Sequence, residues 1–392
     1  MAEAPQHLGP EVDESTIRAI RRDLLRWYAR HRRDLPWRAG TPSALAGDTP
    51  DPYHVLVSEA MLQQTQVATV IDYFQRFVAE FPTVHALAAA DEQRVLRAWQ
   101  GLGYYRRARH LHAAAKAIVE RHAGAVPVNA EALATLPGVG PYTAGAIASI
   151  AFGQHAPILD GNVARVFARL FAIDQPIDAT PTRQRLWALA ADFAKGPNPG
   201  DANQALMELG ATVCTPRSPR CLTCPVRTHC RAADRGQADQ LPAKLPRRKA
   251  TAVTHVVLAI PRPRNRKPQA PAYLFEQRDD HGLWAGMWQM PTCEDPDAQR
   301  DLPAWLACRH GLRVATLQEL TTFTHATTHR TITFRVLLAP NPTGRLSTKG
   351  PPRQWATLDA LDPLPLANPQ RRIVTLLTEQ SPNEPCLNEP RP

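Results

Sequence analysis

Through the first two thirds of the chain apolar residues recur every three to four positions, the spacing of amphipathic helices. Over residues 16–33, Ile17, Ile20, Leu24 and Tyr28 share one face and arginines fill the others, which predicts a basic surface helix. Further helices are predicted over residues 53–64, 67–81, 91–99 and 105–122, then 143–151, 163–171, 182–194 and 201–213. Two stretches break the rhythm. Residues 39–51 form a Gly/Pro/Ser/Thr-bearing loop that reads as an insertion, and residues 233–252 turn basic and proline-bearing, as an interdomain connector does. Beyond that connector the period shortens. The runs THVVLAI, AYLFEQR and THRTITFRVLLAP carry β-branched and alternating residues, so a second, α+β domain is expected over residues 253–379. Residues 1–14 and 380–392 lack an apolar period and are expected to be flexible tails.

Composition changes the picture in one respect. The 392 residues are 44% hydrophobic and 21% charged, ordinary for a globular protein with two or three cores, but the net charge is +10. That balance suits a polyanion, nucleic acid first, although an anionic membrane surface fits basicity equally. The start of the chain is polar and acidic, and no apolar run reaches membrane length, so a soluble intracellular protein is expected. Arginine richness points to a GC-rich bacterium.

Three groups of residues carry candidate chemistry. In LPGVGPYTAGAIASIAFGQHAPILDGN, Gly138 and Gly140 flank a turn whose backbone N–H groups can approach a phosphate, and Asp160 follows a packed helix of small residues. Asp160 reads as an N-cap or as an acid. Glu59 has Val55, Leu56, Leu62 and Gln63 as its helical neighbours, so its carboxyl leaves an apolar stripe and desolvation should raise its pKa. Spacing leaves two readings for it, a general acid and a partnered structural glutamate. Cys214, Cys221, Cys224 and Cys230 form a C-x6-C-x2-C-x5-C array, too dense for chance, whose spacing leaves zinc and iron-sulfur both open. Tyr104 and Tyr105 precede Arg106, Arg107 and Arg109, aromatics and cations that suit a base stack and its phosphates or an anchored basic helix.

Taken together, VLVSEAMLQQTQVATVIDYF, GLGYYRRARHLH, LPGVGPYTAGAI, ILDGNVARV and the cysteine array resemble, in the same order, the adenine DNA glycosylase (MutY) family of the helix-hairpin-helix/Gly-Pro-Asp base-excision superfamily. The resemblance is dense over residues 16–232. It implies a mainly α helix-hairpin-helix glycosylase domain, residues 15–232, with an iron-sulfur cluster loop over residues 214–230. GLWAGMWQMP and Phe323-Thr324-His325 resemble, more loosely, the family's C-terminal α+β Nudix-like domain, which recognises 8-oxoguanine opposite the target adenine. No glutamate-rich hydrolase box occurs over residues 302–314, so pyrophosphatase chemistry is not expected.

Carried onto this chain, the resemblance gives Glu59 as proton donor to adenine N7, Asp160 as stabiliser of the sugar cation, and Tyr142 and Asn162 as their supports. It places Arg38 and Gln204 in the adenine pocket, and Gln64, Tyr104, Gly138 and Gly140 on DNA. Phe323, Thr324 and His325 form the 8-oxoguanine loop, where the family commonly has serine in place of Thr324. The cysteines would hold a [4Fe-4S] cluster. The implied partner is double-stranded DNA with adenine opposite 8-oxoguanine or guanine, bound by a monomer with no membrane involved. The rival reading is an endonuclease III-like glycosylase and lyase on oxidised pyrimidines. That chemistry needs an amine, and no lysine occurs over residues 136–160, where Tyr142 takes the place of the rival family's lysine.

Overall fold

The computed structural model describes residues 12–38, 50–245, 249–263 and 271–380. The insertion over residues 39–51 therefore lies, but for Pro50 and Asp51, outside the described residues, as do both tails but for residues 12–14 and 380. Two compact units emerge. One joins residues 12–90 to 109–245, and the other joins residues 91–108 to 249–380.

The first unit is helical: α1 (Glu14–His31), α2 (Pro52–Leu62), α3 (Val67–Glu80), α4 (Val84–Ala89), then most of α6 (Arg106–His122) after the α5 segment of the other unit (Glu92–Ala98). It continues with α7 (Ala130–Ala134), α8 (Pro141–Phe152), α9 (Gly161–Leu170), α10 (Thr180–Ala194), α11 (Pro199–Thr212) and the short α12 (Arg231–Asp234). Local chemistry sets the boundaries. Asp13 accepts the Thr16 N–H at 2.8 Å and caps α1, Asp51 caps α2 ahead of Pro52, and Gly153 closes α8 in the left-handed region at φ +64°. The short helices α4 and α7 escape periodicity because five or six residues give fewer than two turns of pattern.

Helix α8 is the centre of this unit, packed on α2, α7 and α11. Its small residues permit that approach: a Cβ at Gly145 would lie 2.0 Å from the Pro157 carbonyl oxygen, so nothing larger than glycine fits there. The core beside it gathers Ile20 and Leu24 from α1, Ile158 and Leu159, Val163 and Phe167 from α9, and Leu206 from α11. Burial of these side chains, worth roughly 1.5–3 kcal/mol each, fixes the chain on both sides of Asp160.

The second unit is α+β, with β1 (Thr251–Ala259), β2 (Ala272–Gln277), β3 (Trp288–Gln289), β4 (Thr292–Cys293), α13 (Leu302–His310), β5 (Leu312–Arg313), β6 (Gln318–Ala326), β7 (Arg330–Leu338), β8 (Thr343–Gly344), β9 (Arg353–Thr357) and α14 (Asn368–Gln380). One sheet has the order β4-β1-β7-β6, with β1 and β7 parallel and the other pairs antiparallel; another runs β3-β2-β9. Apolar clusters lie around Val257, Phe275 and Phe334 and around Val256, Leu258 and Leu274, the alternate residues of β1 and β2.

Candidate active site

Glu59 sits in the middle of α2, a helix buried on almost every side: Val55, Leu56, Val57, Ser58 and Met61 are buried with it, and Glu59 is only 6% exposed. Burial pushes its carboxyl up to about 7, the Asp160 charge adds to the rise, and a hydrogen bond from Tyr142 and the charge of Arg38 pull it back. A carboxylic acid so tuned is half protonated near neutral pH, the condition for donating a proton there.

Asp160 reaches the same cavity from another helix. It caps α9, its Oδ1 accepting the Val163 N–H at 2.7 Å and its Oδ2 accepting from Asn162 Nδ2 at 2.9 Å. Asp160 is thus an N-cap whose carboxyl also lines the cavity. Burial raises the Asp160 pKa against these hydrogen bonds and the charge of Arg165. Tyr142, in the first turn of α8, bonds to the Glu59 carboxyl and lies 3.2 Å from Met207 Sδ.

The cavity they share has a volume of about 690 Å³, within the range of small-molecule sites. Arg38, Glu59, Gln64, Tyr142, Asp160, Asn162 and Gln204 all line it. Gln64 lies just past the end of α2 at φ +56°. Arg38, in a single 3-10 turn over Pro36–Arg38, places two guanidinium nitrogens 3.3 Å from Glu208 Oε2.

The two hairpin glycines differ in their reasons. Gly138 has φ +75°, and a Cβ there would fall 2.4 Å from His110 Cβ, so this glycine serves the turn and its packing. A Cβ at Gly140 would meet nothing within 4 Å, which leaves the backbone at the start of α8 open to a phosphate.

Several residues of the site were not expected from sequence. Arg165 donates to Asn162 Oδ1, to the Gly210 carbonyl and, through Nε, to the Cys214 carbonyl, all at 2.8 Å, and so ties the Asp160 support to the cysteine segment. Glu208 is buried; burial works to raise its pKa, but bonds from Arg33 and the charge of Arg38 hold it below the ordinary value. Asp201 lines the cavity with a buried Oδ2 that has no hydrogen-bond partner among the described residues, and burial raises its pKa. The four cysteines follow α11 through two 3-10 turns. Burial, then the charges of Cys214, Cys230 and Cys221, push the Cys224 thiol up to about 12. Cys214 Sγ accepts from the buried guanidinium of Arg169 at 3.3 Å. Among the described residues no three His, Cys, Asp or Glu side chains group closely enough to hold a metal ion.

In the second unit, Phe323, Thr324 and His325 lie on β6, an edge strand paired with β7, and not in a loop as the resemblance led us to expect. Phe323 and its β7 neighbours belong to the apolar core, which extends the ladder through the motif. Phe323 stacks on Phe334 at 5.3 Å, Thr324 is exposed, and His325 is half-buried with Trp284 at 5.9 Å. Where the sequence lacks the glutamate-rich hydrolase box, α13 occupies Leu302–His310. Tyr104, also of this unit, is 48% exposed at φ +50°, with the Arg107 guanidinium 5.2 Å from its ring.

Comparison with known proteins agrees with this architecture. Residues 57–192 match the HhH-GPD superfamily base excision DNA repair protein model, and residues 266–376 match a NUDIX domain. The chain is 37% identical to the adenine DNA glycosylase of Homo sapiens over 433 residues, spanning 98% of this chain and 78% of that protein. It is 38% identical to the Mus musculus adenine DNA glycosylase, over 90% of this chain and 76% of that protein. Against the Mycobacterium tuberculosis adenine DNA glycosylase it is 45% identical over 56% of this chain and 70% of that protein. With two carboxyl groups in one cavity of a helical base-excision domain, followed by a Nudix-like domain, the chain belongs to the adenine DNA glycosylase family.

Proposed function

We propose that the protein excises adenine paired with 8-oxoguanine or guanine in duplex DNA, with Glu59 as proton donor and Asp160 as the carboxylate that faces the sugar. The observation that carries this reading is the shared cavity in which the Glu59 pKa is pushed up to about 7. A stacked adenine cannot reach a buried acid, so the base is flipped out, and a mispair lowers that cost of a few kcal/mol. Glu59 gives its proton to N7. The N-glycosidic electron pair then passes to the protonated purine, which leaves as neutral adenine as the bond to C1′ breaks. Positive charge grows on the sugar beside Asp160, and that charge favours the carboxylate form against the burial that raises its pKa. Water adds at C1′, and its proton returns to the Glu59 carboxylate. The logic is that of two-carboxylate glycosidases.

Tyr142 keeps the Glu59 carboxyl in place, Asn162 does so for Asp160, and Arg38 and Gln204 face the base. Gln64, Tyr104, Gly138 and Gly140 contact DNA, and Phe323, Thr324 and His325 read the opposite 8-oxoguanine. Cys214, Cys221, Cys224 and Cys230 would hold a [4Fe-4S] cluster. The four thiols follow one helix within seventeen residues, and the buried Arg169 guanidinium that donates to Cys214 Sγ suits an anionic thiolate set there. When bound, such a cluster supplies a structural tie between residues 214 and 230. No helix among the described residues is long and apolar enough to cross a membrane, and the net charge of +10 suits DNA. On this reading the protein works as a monomer on nucleoid DNA in a bacterial cytoplasm.

The test is an end-labelled duplex carrying adenine opposite 8-oxoguanine, incubated with enzyme and scored before and after alkali. A monofunctional glycosylase leaves an abasic site that breaks only after alkali. Breaks without alkali, or cleavage of a thymine-glycol duplex, would instead place the chain with the lyase family.

A further inference from the structure

Within the second unit, residues 91–108 are bound to the Nudix-like domain by two glutamine side chains. Gln93 follows Asp91, which caps α5 by accepting the Gln93 N–H at 2.9 Å, and its amide points both of its functions at one segment. Its Nε2 donates to the Gly286 carbonyl at 3.0 Å, and its Oε1 accepts the Trp288 indole N–H at 3.1 Å. Gln100 Oε1 accepts the Leu366 N–H at 2.7 Å. Leu366 in turn bridges Trp288, whose own N–H donates to the Pro365 carbonyl at 2.8 Å.

The segment so gripped begins at Trp284, held at φ +56° with its ring 5.9 Å from His325 and 6.0 Å from Phe334. It is therefore in contact with the strand that carries Phe323, Thr324 and His325. At the other end, Gln100 runs directly into Gly101, Leu102, Gly103 and the exposed Tyr104. That turn is braced: Trp99 Nε1 donates to the Gly103 carbonyl at 3.1 Å, Arg107 donates to the same carbonyl at 3.2 Å, and the Gly101 N–H donates to the Tyr105 hydroxyl at 3.2 Å. A braced turn moves as one piece.

From these contacts we infer that Gln93 and Gln100 are positioning residues that couple the 8-oxoguanine-reading strand to the DNA-contacting Tyr104, so that the lesion base sets how Tyr104 meets the duplex. The path runs from His325 through Trp284 and residues 286–288 to Gln93 and Gln100, and then to the turn. This inference rests on the proposed function. Neither glutamine touches the base that is excised, so their effect is on discrimination between opposite bases and not on the chemistry.

The experiment compares full-length wild type, Gln93→Leu, Gln93→Glu, Thr324→Ala and the Gln93→Leu/Thr324→Ala double variant. Single-turnover excision of adenine is measured opposite 8-oxoguanine and opposite guanine. Gln93→Leu should lower the rate opposite 8-oxoguanine about tenfold, the scale of losing two amide hydrogen bonds, and change the rate opposite guanine less than twofold. The guanine rate thereby reports that the variant is folded. Gln93→Glu keeps the acceptor for Trp288 but loses the donor to Gly286, and should fall between. In the double variant the two losses should not multiply, because both cut one path. Fluorescence of a 2-aminopurine placed beside the 8-oxoguanine should rise in Gln93→Leu as Tyr104 stacking weakens. Equal loss on both substrates, an unchanged preference, or losses that multiply in the double variant would overturn the inference. A wild type with no preference for 8-oxoguanine would instead overturn the functional reading on which it rests, before any variant is compared.

Discussion

The Tyr142 hydroxyl bonds to the carboxyl of Glu59 inside a cavity that Asp160 also lines, so the phenol holds down the pKa that burial and the Asp160 charge push up. The acid needs its proton to act. Single-turnover excision should therefore be full below pH 7 and fall toward tenfold per pH unit above it. Tyr142→Phe removes a bond that favours the carboxylate, and should move that alkaline limb to higher pH while lowering the maximal rate. A limb that moves to lower pH would contradict the assignment, and the pH-rate profile of both proteins decides it.

Glu59→Gln should keep binding to the mispaired duplex and lose at least about a hundredfold in excision, the lower end of what a positioned acid contributes. Stability should respond in the opposite sense. The folded pKa near 7 lies above the ordinary 4.5, so the stability linked to Glu59 is present below pH 4.5 and lost as pH rises through 7. Removing the titration should stabilise the fold at pH 9 relative to pH 5, by up to roughly 3 kcal/mol. Denaturant unfolding at the two pH values measures it, and undiminished excision would remove Glu59 as the acid.

Arg165→Met should be costly for structure and chemistry together. It removes three bonds of 2.8 Å, to Asn162, Gly210 and Cys214, from a buried guanidinium. Bonds to a charged group contribute about 1.5–3 kcal/mol each, and their loss is only partly additive. A loss of several kcal/mol in unfolding free energy is expected, with slower excision as Asn162 loses its grip on Asp160. A variant of wild-type stability and rate would show that this tie is idle.

Thr324→Ala should reduce the preference for 8-oxoguanine over guanine by about fivefold, the scale of one hydroxyl bond. The side chain is exposed on an edge strand and makes no contribution to the core, so thermal stability should change little. Equal loss on both substrates would remove Thr324 from lesion reading.

How far the sequence foretold this arrangement depends on the range of the contact involved. The environment of Glu59 was legible because its helical neighbours Val55, Leu56 and Leu62 lie within one turn, and Asp160 was legible because a cap is local. The same holds for Gly138, where the turn demands φ > 0. Arg165, Glu208 and Gln93 were not legible. Apart from Asn162, three residues from Arg165, the partners named above lie 45–49, 170–175 and 193–195 residues away, and no local period encodes such pairings. The strand through Phe323–His325 was missed because its register comes from β7, whose pattern alone was strong enough to read. The grouping of residues 91–108 with the C-terminal unit depends on tertiary contacts in the same way.

The most direct test of the account is single-turnover release from two duplexes that differ in one atom of the target base, adenine or 7-deazaadenine, each opposite 8-oxoguanine. Adenine should be released, and 7-deazaadenine, which has no N7 for Glu59 to protonate, should be bound and retained. Release of both bases at similar rates would contradict it.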